Sequence, residues 1–578
     1  MSGAEIVVES LVRNKIDTLF AYPGGYTMPL HQVLTRYRDK IRVILPRHEQ
    51  GGGFAAQGYA RSTGKIGVCM TTSGPGATNM ITSIADAKLD SIPLLAISGQ
   101  VATNVIGSDG FQETPITEVC RSITKHHYLV TKIEDIARII DEAIFVAMTG
   151  RPGPVLVDIP KDLQTTQCYP EFGVPMNLPG YSGKTPKPKP EEIDLLIEAL
   201  HRAKRPVFFV GGGMVSSNAC AEFLKAVEKT GVPVITSMTG LSAFPRDHHL
   251  ALGMGGMHGG VYANKAIHES DLLIGLGVRF SDRVTGKVSE FAKGARLFQI
   301  DIDASEINKI KKTNYGLVAD LLETMILLNK KLKDYQKPDL SGWYEKIEGW
   351  KKQYPLSYDH ESPYILPEAA IEELSNATQD RKTIIATGVG QHQLWTTQFY
   401  HFSKPRTWLS SCGLGTMGFG LPAAMGAKIA NPDALVVDID GDGSLQMNIQ
   451  EMATCHTEKI PVKIMLINNQ HLGNVMQWED RFYGSNRANT YLGMIDDPEA
   501  FGKGDGISPK VRYPDYAMIA RGYGWDVISI SRKKDLAAAI QEMINSPNPF
   551  LLDLATPYKE HVLPMTPPGG TIDNVILK

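Results

Sequence analysis

The chain reads as an α/β protein of three domains, each with a central, mostly parallel sheet flanked by helices. Two observations predict this. Short β-branched apolar runs alternate with helical patterns and Gly/Pro turns along the whole sequence, which is the signature of parallel sheets. The length, 578 residues, exceeds what one core organises, and a prior of about 150 residues per domain allows three or four domains.

In the first part, Val43–Leu45, Gly67–Met70, Leu94–Ile97 and Val155–Asp158 read as buried strands, giving a first domain over 1–165. Residues 166–190 are rich in Pro, Gly and Lys without periodicity and read as a linker. Glu191–Arg202 has a helical pattern. Val207–Val210, Val232–Ile235, Leu272–Leu276 and Leu297–Ile300 then supply the strands of a second domain, 191–335. A polar segment holding Trp343, Trp350 and Tyr354 forms a second linker, 336–365. Thr383–Ala386, Leu435–Ile439, Val462–Ile467 and Phe550–Leu552 are the strands of a third domain, 366–578. The first and third domains each place a Gly-rich turn after a strand, Ser73–Gly76 and Gly441–Ser444, so a related architecture is expected in both.

Apolar residues at 43% and charged residues at 21% exclude disordered and fibrous classes. The net charge of -3, without a long run of one sign, argues against a nucleic-acid or membrane-surface partner and for a small molecule. The six cysteines are scattered without a C-x-x-C pair, so reduced thiols are expected rather than zinc or disulfides. No secretory signal is visible and no apolar run approaches the roughly 20 residues of a membrane span. The cytoplasm is the expected location.

The strongest local signal is Gly441-Asp442-Gly443-Ser444 after a buried strand, followed by Asn468-Asn469 after a second one. A Gly turn at a strand end lets backbone amides approach a diphosphate, and a helix N-terminus behind it favours anions. A hard cation such as Mg²⁺ takes oxygen ligands, which Asp442, the Asn469 amide and the His471 backbone carbonyl can supply beside the phosphates. Either half alone would be an ordinary turn or loop. Glu49, directly before Gly51-Gly52-Gly53, reads by itself as an acid at a helix N-terminus. Gly211-Gly212-Gly213 after a strand offers close approach to a phosphate but lacks a full dinucleotide fingerprint.

The spacing of the two halves is that of the thiamine-diphosphate motif, and the chain resembles acetohydroxyacid synthases, also called acetolactate synthases, through nearly its whole length. The resemblance is carried by Tyr22–Gly25, Arg47–Gln50, Thr72–Asn79, Phe111–Thr114, Gly150–Lys161, Gly253–Gly259, Arg279–Lys287, Gly415–Ala424, Gln477–Tyr483 and Glu560–Met565. It implies the thiamine-diphosphate-enzyme architecture and three cofactors, thiamine diphosphate, Mg²⁺ and FAD. The implied reaction decarboxylates pyruvate and joins the two-carbon fragment to a second pyruvate or to 2-ketobutyrate, opening branched-chain amino-acid synthesis.

The resemblance also assigns residues. Glu49 is to hydrogen-bond the aminopyrimidine ring, with Gln112 and Lys125 orienting substrate and Phe111 as an apolar wall. Val389, Gly390, Gln391 and His392 are to meet the diphosphate opposite Asp442, Gly443, Ser444, Asn469, His471, Leu472 and Gly473. Gly415 and Met417 are to hold the aminopyrimidine. FAD is to lie on Arg151, Gly211, Gly212, Gly213, Ser237, Met238, Thr239, Gly255, Gly256, Met257, His258, Gly277, Val278, Arg279, Asp282, Arg283, Val284, Asp301, Ile302 and Asp320. Arg283 and Trp478 are to set the second substrate, through a carboxylate fork and an apolar slot.

Because the family contributes Glu49 and Asp442 from different subunits, a homodimer or homotetramer is implied, and a separate small regulatory subunit is a further implied partner. The nearest rival is another thiamine enzyme of the same architecture, such as a pyruvate oxidase. Tyr26, Ala102, Gly260, Ser281 and Asn474 stand where the family usually has Ala, Pro, Thr or Ser, Asp and Met. Reduced sensitivity to channel-blocking herbicides is the expectation drawn from them.

Overall fold

The computed structural model describes residues 1–497 and 512–577. It contains three six-stranded sheets whose strand pairings are all parallel. The first sheet consists of β1 (Thr18–Ala21), β2 (Arg42–Ile44), β3 (Gly67–Thr71), β4 (Leu94–Gln100), β5 (His126–Leu129) and β6 (Pro154–Pro160). Their order across the sheet is β2-β1-β3-β4-β6-β5. Every residue of β3, β4 and β6 is buried. Helices cover both faces of such a sheet, so its central strands are buried throughout rather than alternating, and the polar Ser98 and Gln100 that they bury pair with Asp158.

The central sheet holds β7 (Pro206–Val210), β8 (Val234–Thr236), β9 (Ala251–Met254), β10 (Leu272–Leu276), β11 (Arg296–Asp301) and β12 (Tyr315–Val318). Its order is β12-β11-β10-β7-β8-β9. Counted from its own first strand this is the doubly wound order of dinucleotide-binding domains, with the crevice at the switch between β7 and β10. Gly211, the residue after β7, packs so closely on the Gly277 carbonyl after β10 that a side chain would overlap it.

The third sheet holds β13 (Thr383–Thr387), β14 (Trp408–Ser410), β15 (Leu435–Gly441), β16 (Lys463–Asn468), β17 (Asp526–Ile530) and β18 (Phe550–Ala555). Its order, β14-β13-β15-β16-β18-β17, repeats that of the first sheet strand for strand. The expected kinship of the first and third domains is therefore one of topology. They meet where the helix Glu49–Thr63 crosses the helix Gly420–Ala430. At the crossing a side chain on Gly58 would overlap the Ala423 carbonyl and one on Gly426 the Ala55 carbonyl, so two glycines set the approach. One apolar core accordingly runs through both domains, from Phe54 to Phe419 and Leu466.

Residues 167–189 contain no helix, and Tyr181 within them packs edge-on to Phe145 at 6.1 Å. Residues 336–365 differ from a plain linker. Trp343, Ile347 and Trp350 recur at helical spacing, and the helix Ser341–Gln353 buries all three on the central domain. The six cysteines are free thiols. No helix among the described residues is long and apolar enough to cross a membrane.

Candidate active site

β15 ends at Gly441 and delivers Asp442 to the first turn of a short helix, Asp442–Leu445. Oδ1 of Asp442 accepts from the Gly443 amide at 3.0 Å. Oδ2 is buried without a protein partner among the described residues. Burial pushes this carboxyl up to about 7, against hydrogen bonds that pull it down. A buried carboxylate oxygen with no donor is costly unless a cation meets it.

The neighbouring strand β16 ends at Asn468, and Asn469 follows beside Asp442. Asn469 Oδ1 accepts from the His471 amide at 3.0 Å, and its Nδ2 lies 3.5 Å from Gln391 Oε1. The turn between them needs Gln470 at φ +58. The His471 ring stacks on Tyr558 at 4.5 Å, and burial pushes its imidazole down to about 4. Its Nδ1 lies 2.8 Å from the Asn469 carbonyl, and the only oxygen of His471 is the backbone carbonyl.

The opposite wall is the loop after β13. Gly388 must be glycine, because a side chain would overlap Asp440 Oδ1 and Ser444 Oγ. His392 Nε2 lies 3.3 Å from Asp440 Oδ1, and Ser444 Oγ accepts from the Gly418 amide at 3.0 Å. Met417 reaches into the same cleft, its Cε 3.5 Å from where a side chain on Gly443 would begin. Val389, Gly390, Gln391, His392, Met417, Asp442, Gly443, Ser444, Asn469, His471, Leu472 and Gly473 line one cleft together. A glycine-walled cradle with an orphaned carboxylate oxygen fits a diphosphate held through a divalent cation. No group of three His, Cys, Asp or Glu side chains that could hold a metal occurs among the described residues.

Glu49 opens the helix Glu49–Thr63, but the cap itself is His48, whose Nδ1 accepts from the Gln50 amide at 3.1 Å. Glu49 Oε2 accepts from Asn79 Nδ2 at 3.0 Å. Gln112, at φ +61, packs against Gly74, and Glu49 Oε1 lies 3.3 Å from the position a side chain on Gly76 would take. The turn Gly74–Gly76 thus stands between the two. Phe111 beside Gln112 is 79% exposed. Asn79 closes the Thr72–Asn79 stretch that carries the resemblance, and its place one helical turn past the Gly turn is the sequence signal for it.

Lys125 is not brought to this group. Its ammonium donates to the carbonyls of Val146, at 2.6 Å, and Thr149, and to Tyr181 Oη at 3.2 Å. It therefore closes the C-terminal end of the helix Ile136–Met148, where free carbonyls attract a cation. Burial pushes it down to about 8.

The second groove lies where all three domains meet, with Arg61, Asp90 and Arg151 of the first domain among its lining residues. Arg151, Gly212, Gly213, Ser237, Met238, Thr239, Gly255, Met257, His258, Gly277, Val278, Arg279, Asp282, Arg283, Val284, Asp301 and Ile302 line it, together with Gly415 and Trp478. Three expected flavin residues do not. Gly211 is used up in its close approach to Gly277, Gly256 packs on the Arg283 carbonyl, and the Asp320 side chain caps the helix Leu321–Lys331 by accepting from Glu323 N at 3.0 Å. Arg151 is held in the groove by Glu306 at 2.6 Å, Asp303 at 3.1 Å and Ser91 at 2.8 Å. His258 is buried beside it, pushed down to about 4. Arg283 projects as a mostly exposed side chain beside Met257 Sδ, and Trp478 packs edge-on to Phe482 at 5.6 Å. Val389 and Gly390 line both cavities, so the flavin groove and the diphosphate cleft share a wall.

Comparison with known proteins agrees with this geometry. Residues 1–120 match the family model "Thiamine pyrophosphate enzyme, N-terminal TPP binding domain", 193–328 its central domain and 388–554 its C-terminal TPP binding domain. An acetolactate synthase, chloroplastic, of Arabidopsis thaliana is 52% identical over 579 residues, 99% of this chain and 84% of the relative. Acetolactate synthase 3, chloroplastic, of Brassica napus is also 52% identical over 579 residues, covering 99% of this chain and 86% of its own. A probable acetolactate synthase 2, chloroplastic, of Oryza sativa subsp. japonica is 51% identical over 582 residues, 100% and 86% of the two chains. These relatives are named as chloroplastic enzymes, which overturns the cytoplasmic location expected above. By three matched domains and by relatives alike over its full length, this chain belongs to the acetolactate synthase family of thiamine pyrophosphate enzymes.

Proposed function

We propose a division of labour for the acetolactate synthase reaction in which the third domain anchors the cofactor and the first domain works on its ring. The activity itself follows from the family: pyruvate is decarboxylated and its two-carbon remainder is joined to a second 2-keto acid. The observation that carries the residue roles is the orphaned Asp442 Oδ2 beside Asn469 and His471. These three would hold Mg²⁺ and, through it, the diphosphate. Bound thiamine diphosphate supplies the carbon nucleophile and the electron sink for decarboxylation.

The remaining steps fall to side chains. Asn79 holds one oxygen of Glu49, and Glu49 exchanges a proton at the other, Oε1. Gln112 orients the incoming keto acid, and Phe111 keeps water from the reacting carbon. Arg283 grips the carboxylate of the second keto acid and Trp478 bounds its alkyl group. FAD, by this reading, lies along the second groove and joins no redox step, because the reaction has no net change of oxidation state.

No residue lining the Asp442 cleft comes from the first domain. The site is completed by the Glu49 face of a second copy, so the working unit is a homodimer, with a homotetramer and a small regulatory subunit as further assemblies. Acetolactate formation from pyruvate, with thiamine diphosphate and Mg²⁺, tests the scheme on the wild type and Glu49→Gln, with and without FAD. Activity that needs FAD and collapses in the variant supports it. Pyruvate consumed without acetolactate would refute the assigned second half.

A further inference from the structure

The loop after β14 belongs to the third domain, yet its side chains and amides are held by the first. Asp86 and Asp90 lie one turn apart on the helix Ile81–Asp90, both buried at the side chain. Arg61, from the helix Glu49–Thr63, lies between them with Nη2 3.0 Å from Asp86 Oδ2 and Nη1 2.9 Å from Asp90 Oδ2. Its guanidinium rests over the Phe419 ring at 4.9 Å, and Nη1 also donates to the Ser410 carbonyl at 2.9 Å.

Each carboxylate has a second task across the domain boundary. The Ser411 hydroxyl donates to Asp86 Oδ1, and the Cys412 amide donates to Asp90 Oδ2 at 3.0 Å. Ser411 Oγ in turn accepts from the Thr416 amide at 2.8 Å, which closes the loop on itself, and the Thr416 hydroxyl lies 3.4 Å from Asp86 Oδ1. Thr416 stands between Gly415 and Met417. Gly415, at φ +75, has open space where a side chain would begin, with only Val389 nearby at 4.0 Å.

Two buried carboxylates around one guanidinium are a poor way to gain stability, since apolar residues of similar volume commonly do as well. What such a cluster does give is register: charge-assisted hydrogen bonds act only at one geometry. We propose that Asp86, Asp90 and Arg61 are positioning residues. They clamp the loop 411–417 to the first domain, so that Gly415 and Met417 keep the geometry that receives the aminopyrimidine ring. The inference rests on the reading of Gly415 and Met417 given above. It also places a first-domain clamp behind the wall where the flavin groove meets that ring, because Ser411, Cys412 and Gly415 line the groove.

Calorimetric binding of thiamine diphosphate with Mg²⁺ to the cofactor-free protein tests this, using Ser411→Ala, Ser411→Thr and Met417→Ala. Loss of the one hydroxyl that joins Asp86 to Thr416 is expected to weaken binding about tenfold. The thermal midpoint of the cofactor-free protein should fall, because the buried Asp86 carboxylate loses a donor, and Ser411→Thr should restore both midpoint and affinity. Wild-type affinity in Ser411→Ala, alongside weakened binding in Met417→Ala, overturns the clamp alone. Unchanged affinity in Met417→Ala overturns the reading of the ring site, and the clamp with it. If Ser411→Ala does not fold, Asp86→Asn, which keeps an oxygen for Ser411 but drops the charge facing Arg61, should loosen binding about threefold; unaltered binding there also overturns the proposal.

Discussion

Asn79 Nδ2 stands 3.0 Å from Glu49 Oε2, and this bond decides which oxygen of the carboxylate is free. Oε1 has no donor among the described residues and faces Gly76, where no side chain intervenes. Asn79→Ala should lower kcat about tenfold to a hundredfold while leaving Mg²⁺ half-saturation unchanged, whereas Glu49→Gln should cost about 10² to 10⁴. Steady-state kinetics at saturating cofactor separate the two.

Asp442 Oδ2 supplies the opposite test. Asp442→Asn keeps the shape and removes the charge, so Mg²⁺ half-saturation should rise by tenfold or more while the flavin spectrum is retained. A normal Mg²⁺ titration would remove Asp442 from the metal site.

Glu49→Gln and Asp442→Asn fail in different domains. If each site draws on two copies, mixing the two variants after dissociation, at a Mg²⁺ level too low to load Asp442→Asn, regenerates one intact site in the mixed dimer. Recovered activity near a quarter of wild type is the expected outcome, and none would place both residues in one copy's site.

His258 sets a pH dependence. Burial lowers its folded value from 6.5 to about 4, so the unfolded chain takes up a proton that the fold keeps out. Its contribution is fully present above pH 6.5 and is lost as pH falls through 6.5 towards 4, by roughly 3 kcal/mol in all. Urea unfolding of flavin-free protein at pH 7.5 and 5.0 should show part of this loss, reduced in His258→Phe.

Tyr26 hydrogen-bonds the Phe111 carbonyl at 2.8 Å, and its ring stands beside the Lys161 ammonium at 5.5 Å. It crowds the approach to Gln112. Tyr26→Ala should raise sulfonylurea sensitivity about tenfold and Tyr26→Phe should not, because bulk rather than the hydroxyl closes the space.

The three parallel sheets are legible in the sequence, because strands buried on both faces are predominantly apolar and leave that pattern in the chain. The turn Gly441–Ser444 and the pair Asn468-Asn469 are legible too, each at the end of an apolar run, and the parallel pairing of β15 with β16 is what sets Asp442 and Asn469 side by side. Tertiary structure alone decided the rest. Nothing local in Lys125 tells that its ammonium is drawn to the carbonyls ending the helix Ile136–Met148; Asp320 differs, because Asp320-Leu321-Leu322-Glu323 is a local helix-cap pattern and the structure follows it. Nor could sequence show that Arg61, Asp86 and Asp90 grip a loop more than 300 residues further along the chain, at Ser411 and Cys412. Apolar periodicity is written along the chain, but the partner of a polar side chain is chosen by which elements the packing of two domains sets side by side, and that choice leaves no mark on spacing.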